Sequence, residues 1–534
     1  MTAAHCHATL TPLAANASEG PDAVLFTSRG AVLVIGDDAG IADAVNAVAS
    51  RLRTTVCAPS AGSIGFARQI TALDGRVSAV RGRFGAFRAE VEGVSGPIDI
   101  GAASANRDGL FDMVLDLGRR ALIQSAVPPI GYFAPGPGAE ALAAAIAAMR
   151  SMVGRFTKPR YFSYEPGICA HGASGVTGCT RCLDVCSAEA IVSAGEQVRV
   201  DPYLCQGCAA CTLACPTGAL SFRLPTAVEL RQQMRLVLQP APASILVVHT
   251  KALATTVRAA IGVRAALPMT VDPLPAFGEE LWFEAFALGA AAVALIDDEK
   301  LVPASRALVE THIAQSRTIL QALRIAPDRL QLLRAGALTS WLDSLAAVAR
   351  ENSPIRAAPV APFTPQSRDT RTKRLSLLDA ISTLGDGGAA FTPVPLPPDA
   401  YFGGVSVDRN HCTLCFACTN LCPTGALTAD NEGFPRLRFV ENACIQCGLC
   451  ERGCPEKAVT LQPRFIPLPG ARLESTVLQQ DELFPCTACG TPFINRRLLA
   501  SSLERVKDHP VLAQGGRERL MTCPACRQTA MLQV

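Results

Sequence analysis

The spacing of the cysteines constrains this chain more than any other feature of its sequence. Three runs of four cysteines, separated by two, two and three residues and closed by a proline, occur within 534 residues. They are Cys205, Cys208, Cys211 and Cys215; Cys412, Cys415, Cys418 and Cys422; and Cys444, Cys447, Cys450 and Cys454. A fourth run, with Cys179, Cys182 and Cys186, is incomplete because Val176 stands in its first position. Three thiolates on one short loop hold three irons of a [4Fe–4S] cluster, so the spacing predicts an electron carrier.

The complete runs resemble those of bacterial two-cluster ferredoxins, in which the fourth cysteine of each run binds the neighbouring cluster. The resemblance implies two clusters in the second half of the chain, one on Cys412, Cys415, Cys418 and Cys454, and one on Cys444, Cys447, Cys450 and Cys422. Zinc knuckles are the alternative, but zinc sites use pairs of CxxC and do not need three thiolates at this spacing.

In the first half of the chain, we expect Cys169 to replace the cysteine that is missing at Val176. One cluster would be bound by Cys169, Cys179, Cys182 and Cys215, and the other by Cys205, Cys208, Cys211 and Cys186. The alternatives are a three-thiolate site with an open iron, a [3Fe–4S] cluster, or ligation by His171. We prefer Cys169 because thiolate is the softer ligand.

Two further CxxC pairs lie near the end of the sequence, at Cys486, Cys489, Cys523 and Cys526. Four cysteines in two knuckles predict a structural zinc site. The mononuclear iron of rubredoxin is the less favoured alternative, because residues 490–522 offer only one aromatic residue, Phe493, to enclose it. The predicted cofactors are therefore four [4Fe–4S] clusters and one zinc ion. The two remaining cysteines, Cys6 and Cys57, are expected to bind no metal.

Composition and charge limit the partners and the cellular location that we expect for this protein. The formal net charge of +3 gives no argument for a nucleic-acid partner. No apolar run is long enough to cross a bilayer, so we expect no membrane insertion. Residues 1–20 lack the pattern of a secretion signal. Twenty-two cysteines in such a chain indicate metal binding in a reducing cytoplasm rather than disulfides.

The expected fold class is multi-domain α/β plus α+β. We expect residues 1–155 to form a Rossmann-like α/β scaffold, 156–225 a two-cluster ferredoxin module, 226–350 a cysteine-free α/β adaptor domain, 351–400 a Pro-rich linker with a short basic helix near 371–382, 401–465 a second two-cluster ferredoxin module, and 466–534 a zinc-ribbon-like segment.

Two stretches alternate strands and helices. Ala31–Ile35, Ile41–Leu52 and Thr54–Cys57 read as a βαβ unit, but the turn Gly36–Gly40 lacks the glycine spacing of a dinucleotide site. A scaffold is therefore favoured over a nucleotide or flavin site. An antiparallel pair is predicted at 77–80 and 86–91, a strand at 111–117 and a helix at 139–149. Residues 244–323 alternate in the same way, with strands at 244–249, 269–274 and 292–296 and helices at 253–265, 279–288 and 304–323, which predicts a small parallel doubly wound sheet.

Two family resemblances bear on function. The segments Pro129–Gly136 and Cys169–Cys186, with the terminal four-cysteine segment, resemble proteobacterial multi-cluster ferredoxins associated with molybdenum formate dehydrogenase systems. The stretch Glu279–Ala290 with Ala326–Leu330 resembles the delta-subunit domain of methyl-viologen-reducing hydrogenases, which implies an electron-passing docking scaffold. Residues 216–411 contain no cysteine, so that expectation is limited to the scaffold.

No catalytic constellation can be picked out of the sequence. We therefore expect an electron-transfer protein that links a redox enzyme to another electron-carrier protein, and not an enzyme in its own right. The alternatives are an assembly or maturation factor for a molybdenum enzyme, and an oxidoreductase that binds a flavin or a nicotinamide.

Overall fold

The computed structural model describes residues 10–13, 22–36, 41–66, 70–241, 243–348, 372–385, 392–430, 434–510 and 516–532. Three predictions fall outside these ranges: the role of Cys6, most of the turn at 36–40, and the linker over 351–371.

The first domain is built on a parallel sheet of five strands. In spatial order they are Tyr132–Phe133, Met113–Asp116, Ala31–Ile35, Arg53–Ala58 and Ile70–Asp74. Ala31–Ile35 is buried along its whole length, as its unbroken run of apolar side chains predicts for a central parallel strand. Helix Ala42–Ala49 connects it to Arg53–Ala58, so the predicted βαβ unit is confirmed. A second helix, Ala139–Ser151, follows the strand Tyr132–Phe133 along the chain.

Two antiparallel sheets complete this domain. One contains the strands Val77–Arg83, Ala86–Gly93 and Gly96–Asp99, which confirms the predicted antiparallel pair. The other contains Thr11–Pro12, Gly154–Pro159 and Ala23–Ser28. Because Gly154–Pro159 pairs with Ala23–Ser28 over its full length, the sheet of the first domain continues past the predicted boundary at 155.

The first cluster module lies between two antiparallel strands that bring its ends together, Phe162–Tyr164 and Leu220–Phe222. Two hairpins lie between them, Gly172–Ala173 with Val176–Thr177 and Ile191–Ala194 with Gln197–Val200. Each of its short helices, Arg181–Asp184 and Ala210–Ala214, carries one cysteine on its first turn. The chain therefore presents two cysteine-bearing helices within a small sheet frame.

The middle domain is a four-stranded parallel sheet with the order Ala266–Thr270, Ile245–His249, Ala292–Asp297 and Leu330–Arg334. The second strand along the chain, Ala266–Thr270, lies at the edge of the sheet, and the first, Ile245–His249, lies beside it. This order is that of doubly wound folds of the flavodoxin type. Its helices are Ala227–Leu238, Ala254–Ile261, Glu279–Ala287, Pro303–Ala322 and Leu338–Val348. The strand predicted at 269–274 lies too far along the chain. It runs from Ala266 to Thr270, and Pro273 begins a different turn because it has no N–H for a ladder.

The predicted linker contains a helix that belongs to the core. Lys373–Leu384 starts at a Thr372 cap and packs along helix Glu279–Ala287 of the middle domain. Leu377, Leu378 and Ile381 are buried in the same apolar cluster as the middle-domain helices. The short basic helix predicted near 371–382 is therefore confirmed, but the expectation that it belongs to a linker is wrong, because residues 373–384, which we call the bridging helix, pack into the core.

The second cluster module repeats the frame of the first. Gly403–Val407 pairs with Val459–Phe465, which also pairs with Val394–Pro395, and a second sheet contains Leu427–Asp430, Arg436–Val440 and Ser475–Gln480. Its helices are Ala417–Asn420, Leu449–Arg452 and Pro469–Leu473. Because Ser475–Gln480 pairs with Arg436–Val440, this module extends beyond the predicted boundary at 465.

The last part of the chain is a hairpin followed by helices. The hairpin strands are Leu483–Pro485 and Pro492–Asn495, and the helices are Arg496–Arg505, Arg517–Leu520 and Pro524–Leu532. Among all the helices that the structure describes, none is both long enough and apolar enough to cross a membrane.

Candidate iron–sulfur and metal sites

The three complete cysteine runs fold into one recurring loop. In each run the residue before the second cysteine and the residue after it have left-handed backbone. The φ values are 75° and 59° at Gly207 and Ala209, 54° and 58° at Leu414 and Phe416, and 52° and 82° at Gln446 and Gly448. Such conformations are unfavourable for residues other than glycine and persist only where the surroundings require them. Their repetition at matching places indicates that the loop shape itself is functional.

The first quartet of cysteines lines one cavity, which we call site 1. Its members are Cys186, Cys205, Cys208 and Cys211. The rest of the lining is largely apolar and includes Phe162, Ile191 and Phe222. Val302 also lines the cavity, so the middle domain closes one side of site 1.

The second quartet lines another cavity, site 2. Its members are Cys169, Cys179, Cys182 and Cys215. Cys169 reaches this cavity because the intervening segment folds back as a hairpin. The N–H of Gly178 donates to His171 O (2.6 Å) and the N–H of Cys179 donates to Ala170 O (2.9 Å). The hairpin thus carries Val176 away and brings Cys169 beside Cys179, as the proposed replacement requires.

His171 also lines site 2, but both of its ring nitrogens are engaged elsewhere. Nδ1 bonds to Cys179 O at 2.9 Å and Nε2 bonds to Ser193 Oγ at 2.8 Å, with the side chain buried. A histidine ligand would have to give up one of these bonds. The geometry therefore favours a supporting role for His171 and leaves Cys169 as the fourth thiol.

The second module contains the other two quartets. Site 3 is a cavity lined by Cys422, Cys444, Cys447 and Cys450. Site 4 consists of Cys412, Cys415, Cys418 and Cys454, whose thiolates lie close enough to repel one another. Cys415 is exposed, so site 4 reaches the protein surface. In both modules the fourth cysteine of each run lies with the first three of the other, apart from the substitution at Cys169.

Burial and mutual repulsion make several of these sulfurs poor thiolates without a cation. Burial raises the pKa of the Cys205 thiol to about 11 and that of Cys418 to about 12. The pKa of Cys211 is raised well above its ordinary value by burial and then by Cys208, Cys205, Cys186 and Cys182. Thiols in such a setting ionise only when a bound metal supplies compensating positive charge. Four sulfur donors around a buried cavity fit a [4Fe–4S] cluster.

Hydrogen bonds to sulfur are already in place. The N–H of Ala190 donates to Cys186 Sγ and the N–H of Ala458 donates to Cys454 Sγ, each at 3.3 Å. At site 3 the side-chain amide of Gln446 donates to Cys444 Sγ at 3.2 Å. Hydrogen bonds to sulfur contribute to the reduction potential of a [4Fe–4S] cluster, so these groups would help to set it in a bound cluster.

The C-terminal cysteines form a compact tetrad. The Sγ atoms of Cys486, Cys489, Cys523 and Cys526 all lie within 4.8 Å of one another. The Cys489–Cys523 separation is 3.8 Å, and a tetrahedral site with Zn–S bonds of about 2.3 Å has sulfurs about 3.8 Å apart. The hairpin carries the first pair, and the second pair lies at the start of the last helix. The arrangement fits a single tetrahedral metal ion.

A backbone hydrogen bond stabilises the thiolate form of one cysteine of this tetrad. The N–H of Cys523 donates to Cys486 Sγ at 3.2 Å, and this bond is the main reason that the pKa of Cys486 is lowered to about 6. The pKa of Cys526 is raised to about 12, chiefly by its bond with Cys489. A metal ion that binds here would release the protons that these thiols still carry.

Two buried cations next to the cysteine loops were not predicted from the sequence. Lys158, only 1% exposed, donates from Nζ to Tyr203 O (2.8 Å) and Cys205 O (2.6 Å) at site 1. Arg374 of the bridging helix donates from Nη2 to Cys444 O (3.0 Å) at site 3. Burial lowers the pKa of Arg374 to about 10, which leaves it charged at neutral pH. Each cation is far in sequence from its cysteine, and no local pattern signals the contact.

Cys57, predicted to bind no metal, is fully buried in the first sheet, and burial raises the pKa of its thiol to about 11. It lies on Arg53–Ala58, outside the five cysteine sets described above. Its surroundings are those of a packed apolar residue.

Two segments of the chain match families of iron–sulfur proteins. Residues 411–458 match the 4Fe-4S dicluster domain, and residues 198–221 match the 4Fe-4S binding domain. The chain is also 41% identical over 60 residues to the ferredoxin-type protein NapF of Escherichia coli K12, and to the same degree to NapF of Escherichia coli O157:H7. The shared stretch is 11% of this chain and 35% of NapF, so the chain spans about a third of the length of the curated relatives it matches.

The two matched segments contain the complete cysteine runs of both modules. The prediction of iron–sulfur modules of the ferredoxin type is thereby confirmed for both halves. The chain carries two ferredoxin-type 4Fe-4S domains.

Proposed function

We propose that this chain is an electron-transfer protein with four [4Fe–4S] clusters, one in each of sites 1 to 4, that passes electrons between a redox enzyme and another carrier. The observation that supports the proposal most is the convergence of sixteen cysteines into four quartets, each assembled from two different loops. When bound, a [4Fe–4S] cluster supplies a one-electron redox couple.

The chain's own residues prepare these sites. The left-handed loop residues position the three cysteines of each complete run, and the crossed fourth cysteine ties the two halves of each module together. The apolar lining of sites 1 to 3 excludes water. Backbone N–H groups and the Gln446 amide donate to the sulfurs, which stabilises added negative charge.

Metal and sulfide analysis tests the proposal. The protein, prepared without oxygen, should contain about sixteen iron atoms and as much acid-labile sulfide per chain. Eight or fewer irons would contradict the four-cluster proposal. Zinc at about one atom per chain is expected from the terminal tetrad, and iron in its place would indicate a rubredoxin-type site.

We infer that the partner is a redox enzyme, and the resemblance to ferredoxins of formate dehydrogenase systems makes a molybdenum formate dehydrogenase the first candidate. Capture of the native complex from a cell that makes both proteins tests this inference. Reduction by the captured enzyme and onward transfer within its turnover time would support the carrier. Clusters that reduce but never pass electrons, together with an inactive enzyme in a deletion strain, would support the assembly factor instead.

A further inference from the structure

The two cluster modules are in direct contact through the loops that carry their cysteines. Gly178, the residue before the site 2 ligand Cys179, faces Leu449 of the second module. A Cβ at Gly178 would lie 2.6 Å from Leu449 Cγ, which is closer than any real contact. The glycine therefore permits an approach that any side chain would prevent.

One guanidinium group joins the two loops. Arg452 Nη2 donates to Gly178 O (2.6 Å) and to Cys447 O (2.8 Å). The first carbonyl precedes a site 2 cysteine, and the second belongs to a site 3 cysteine. The same nitrogen of Arg452 thus donates to the ligand loops of both sites and holds them close together.

The remaining neighbours are set within each module. In the first module, helix Arg181–Asp184, which carries a site 2 cysteine, packs against helix Ala210–Ala214, which carries a site 1 cysteine. In the second module, helix Ala417–Asn420 of site 4 packs against helix Leu449–Arg452 of site 3, and the latter also packs against strand Val176–Thr177 of the site 2 loop. These three contacts connect the four sites in one order.

We propose that the contact of the two modules makes sites 2 and 3 direct electrostatic neighbours, so that the chain arranges its clusters in the single sequence 1–2–3–4, with Arg452 as the residue that holds the central pair together. This inference rests on the proposed function, because it requires clusters in all four sites. It adds that the two modules form one continuous path rather than two separate pairs.

Two matched cluster deletions test the order. Cys179→Ala with Cys182→Ala removes the ligands of site 2, and Cys208→Ala with Cys211→Ala removes those of site 1. The readout is the set of midpoint potentials of the second module, measured by potentiometric titration with EPR detection. Loss of a negatively charged cluster raises the potential of its nearest neighbour most. We expect the site 2 deletion to raise one potential of the second module clearly more than the site 1 deletion does. Equal shifts, or none, would overturn the proposed order.

A milder substitution keeps the test decisive if a deletion unfolds the first module. Arg452→Gln removes the charge but not the bulk. The control is Arg438→Gln, which removes a half-buried arginine that is paired with Asp430 in the same module. Arg452→Gln should lower two of the four potentials, those of sites 2 and 3, and Arg452→Lys should restore them in part. Shifts in all four potentials, or in only one, would overturn the proposal. Eight or fewer irons per chain in the wild-type protein would instead refute the proposed function.

Discussion

Lys158 gives the sharpest test of how the protein scaffold sets a cluster potential. Its ammonium group is buried and donates to the carbonyl oxygens of Tyr203 and Cys205. We place the charge on the order of 8 Å from a cluster in site 1, from the Nζ–O distance of 2.6 Å plus the length of one residue and one metal–sulfur bond of about 2.3 Å. At an effective dielectric constant of about 20, a unit charge at that distance contributes about 2 kcal/mol, or about 90 mV for a one-electron couple.

Lys158→Met should therefore lower one of the four midpoint potentials by about 90 mV, because the variant loses a positive charge that stabilises the reduced state. Loss of the two hydrogen bonds should also destabilise the loop by about 2 to 4 kcal/mol. Potentiometric titration with EPR detection measures the shift. Lys158→Arg separates the two effects, because it retains the charge and should retain most of the potential.

Lys457 is the matched control, since it follows the site 4 ligand Cys454 by three residues but is exposed. The Lys457 ammonium is screened by water and salt and, unlike the guanidinium of Arg452, donates to no ligand-loop carbonyl of the described residues, so Lys457→Met should leave all four potentials nearly unchanged. An unchanged set of potentials in Lys158→Met, or an equal shift in Lys457→Met, would refute the reasoning that burial gives Lys158 its effect.

Further predictions concern ligands, loops and pH. Cys169→Ala should damage only site 2 and show a [3Fe–4S] EPR signal after exposure to air, whereas Cys57→Ala should leave the spectrum unchanged; wild-type iron content without that signal would mean that Cys169 is not a ligand. Gly207→Ala should reduce iron content at site 1, because a Cβ there would lie 2.8 Å from the Tyr161 ring and φ is +75°. Gly195→Ala, with a similar φ of +76° and nothing within 4 Å of its Cβ, should retain full iron, and equal losses would show that strain alone matters. Reconstitution of the metal-free protein should become faster between about pH 7 and about pH 9, because thiols with raised pKa values must lose protons to bind iron; a rate independent of pH in a stopped-flow absorbance assay would contradict this.

The cysteine quartets could be predicted from sequence because their information is local. A run with two, two and three intervening residues determines its own loop, and the crossing of the fourth cysteine follows from the repetition of the run. Even Cys169 could be inferred, because the glycine-rich segment after it is long enough to fold back as the hairpin now seen. The βαβ opening was predictable for the same reason, since an unbroken apolar strand needs cover on both faces.

The bridging helix and the buried cations depend on contacts between distant parts of the chain. The sequence of Lys373–Leu384 begins with two basic residues and stands between Pro-rich stretches, so it has the character of a solvated linker helix. Its burial becomes evident only when helix Glu279–Ala287 is beside it. In the same way, Lys158 lies on a strand of the first domain, and nothing near it in sequence indicates that Cys205 is its partner.

The position of the bridging helix has a consequence for dissecting this protein. Lys373 donates to the carbonyl oxygens of Thr212 and Leu213 in the first module, while the adjacent Arg374 donates to Cys444 O in the second. A gene fragment that ends before residue 372 would leave the apolar face of helix Glu279–Ala287 open, and one that starts after residue 385 would lack the arginine behind site 3. Each half would lack contacts that the bridging helix makes with the other half, so mutational and spectroscopic work should use the intact chain.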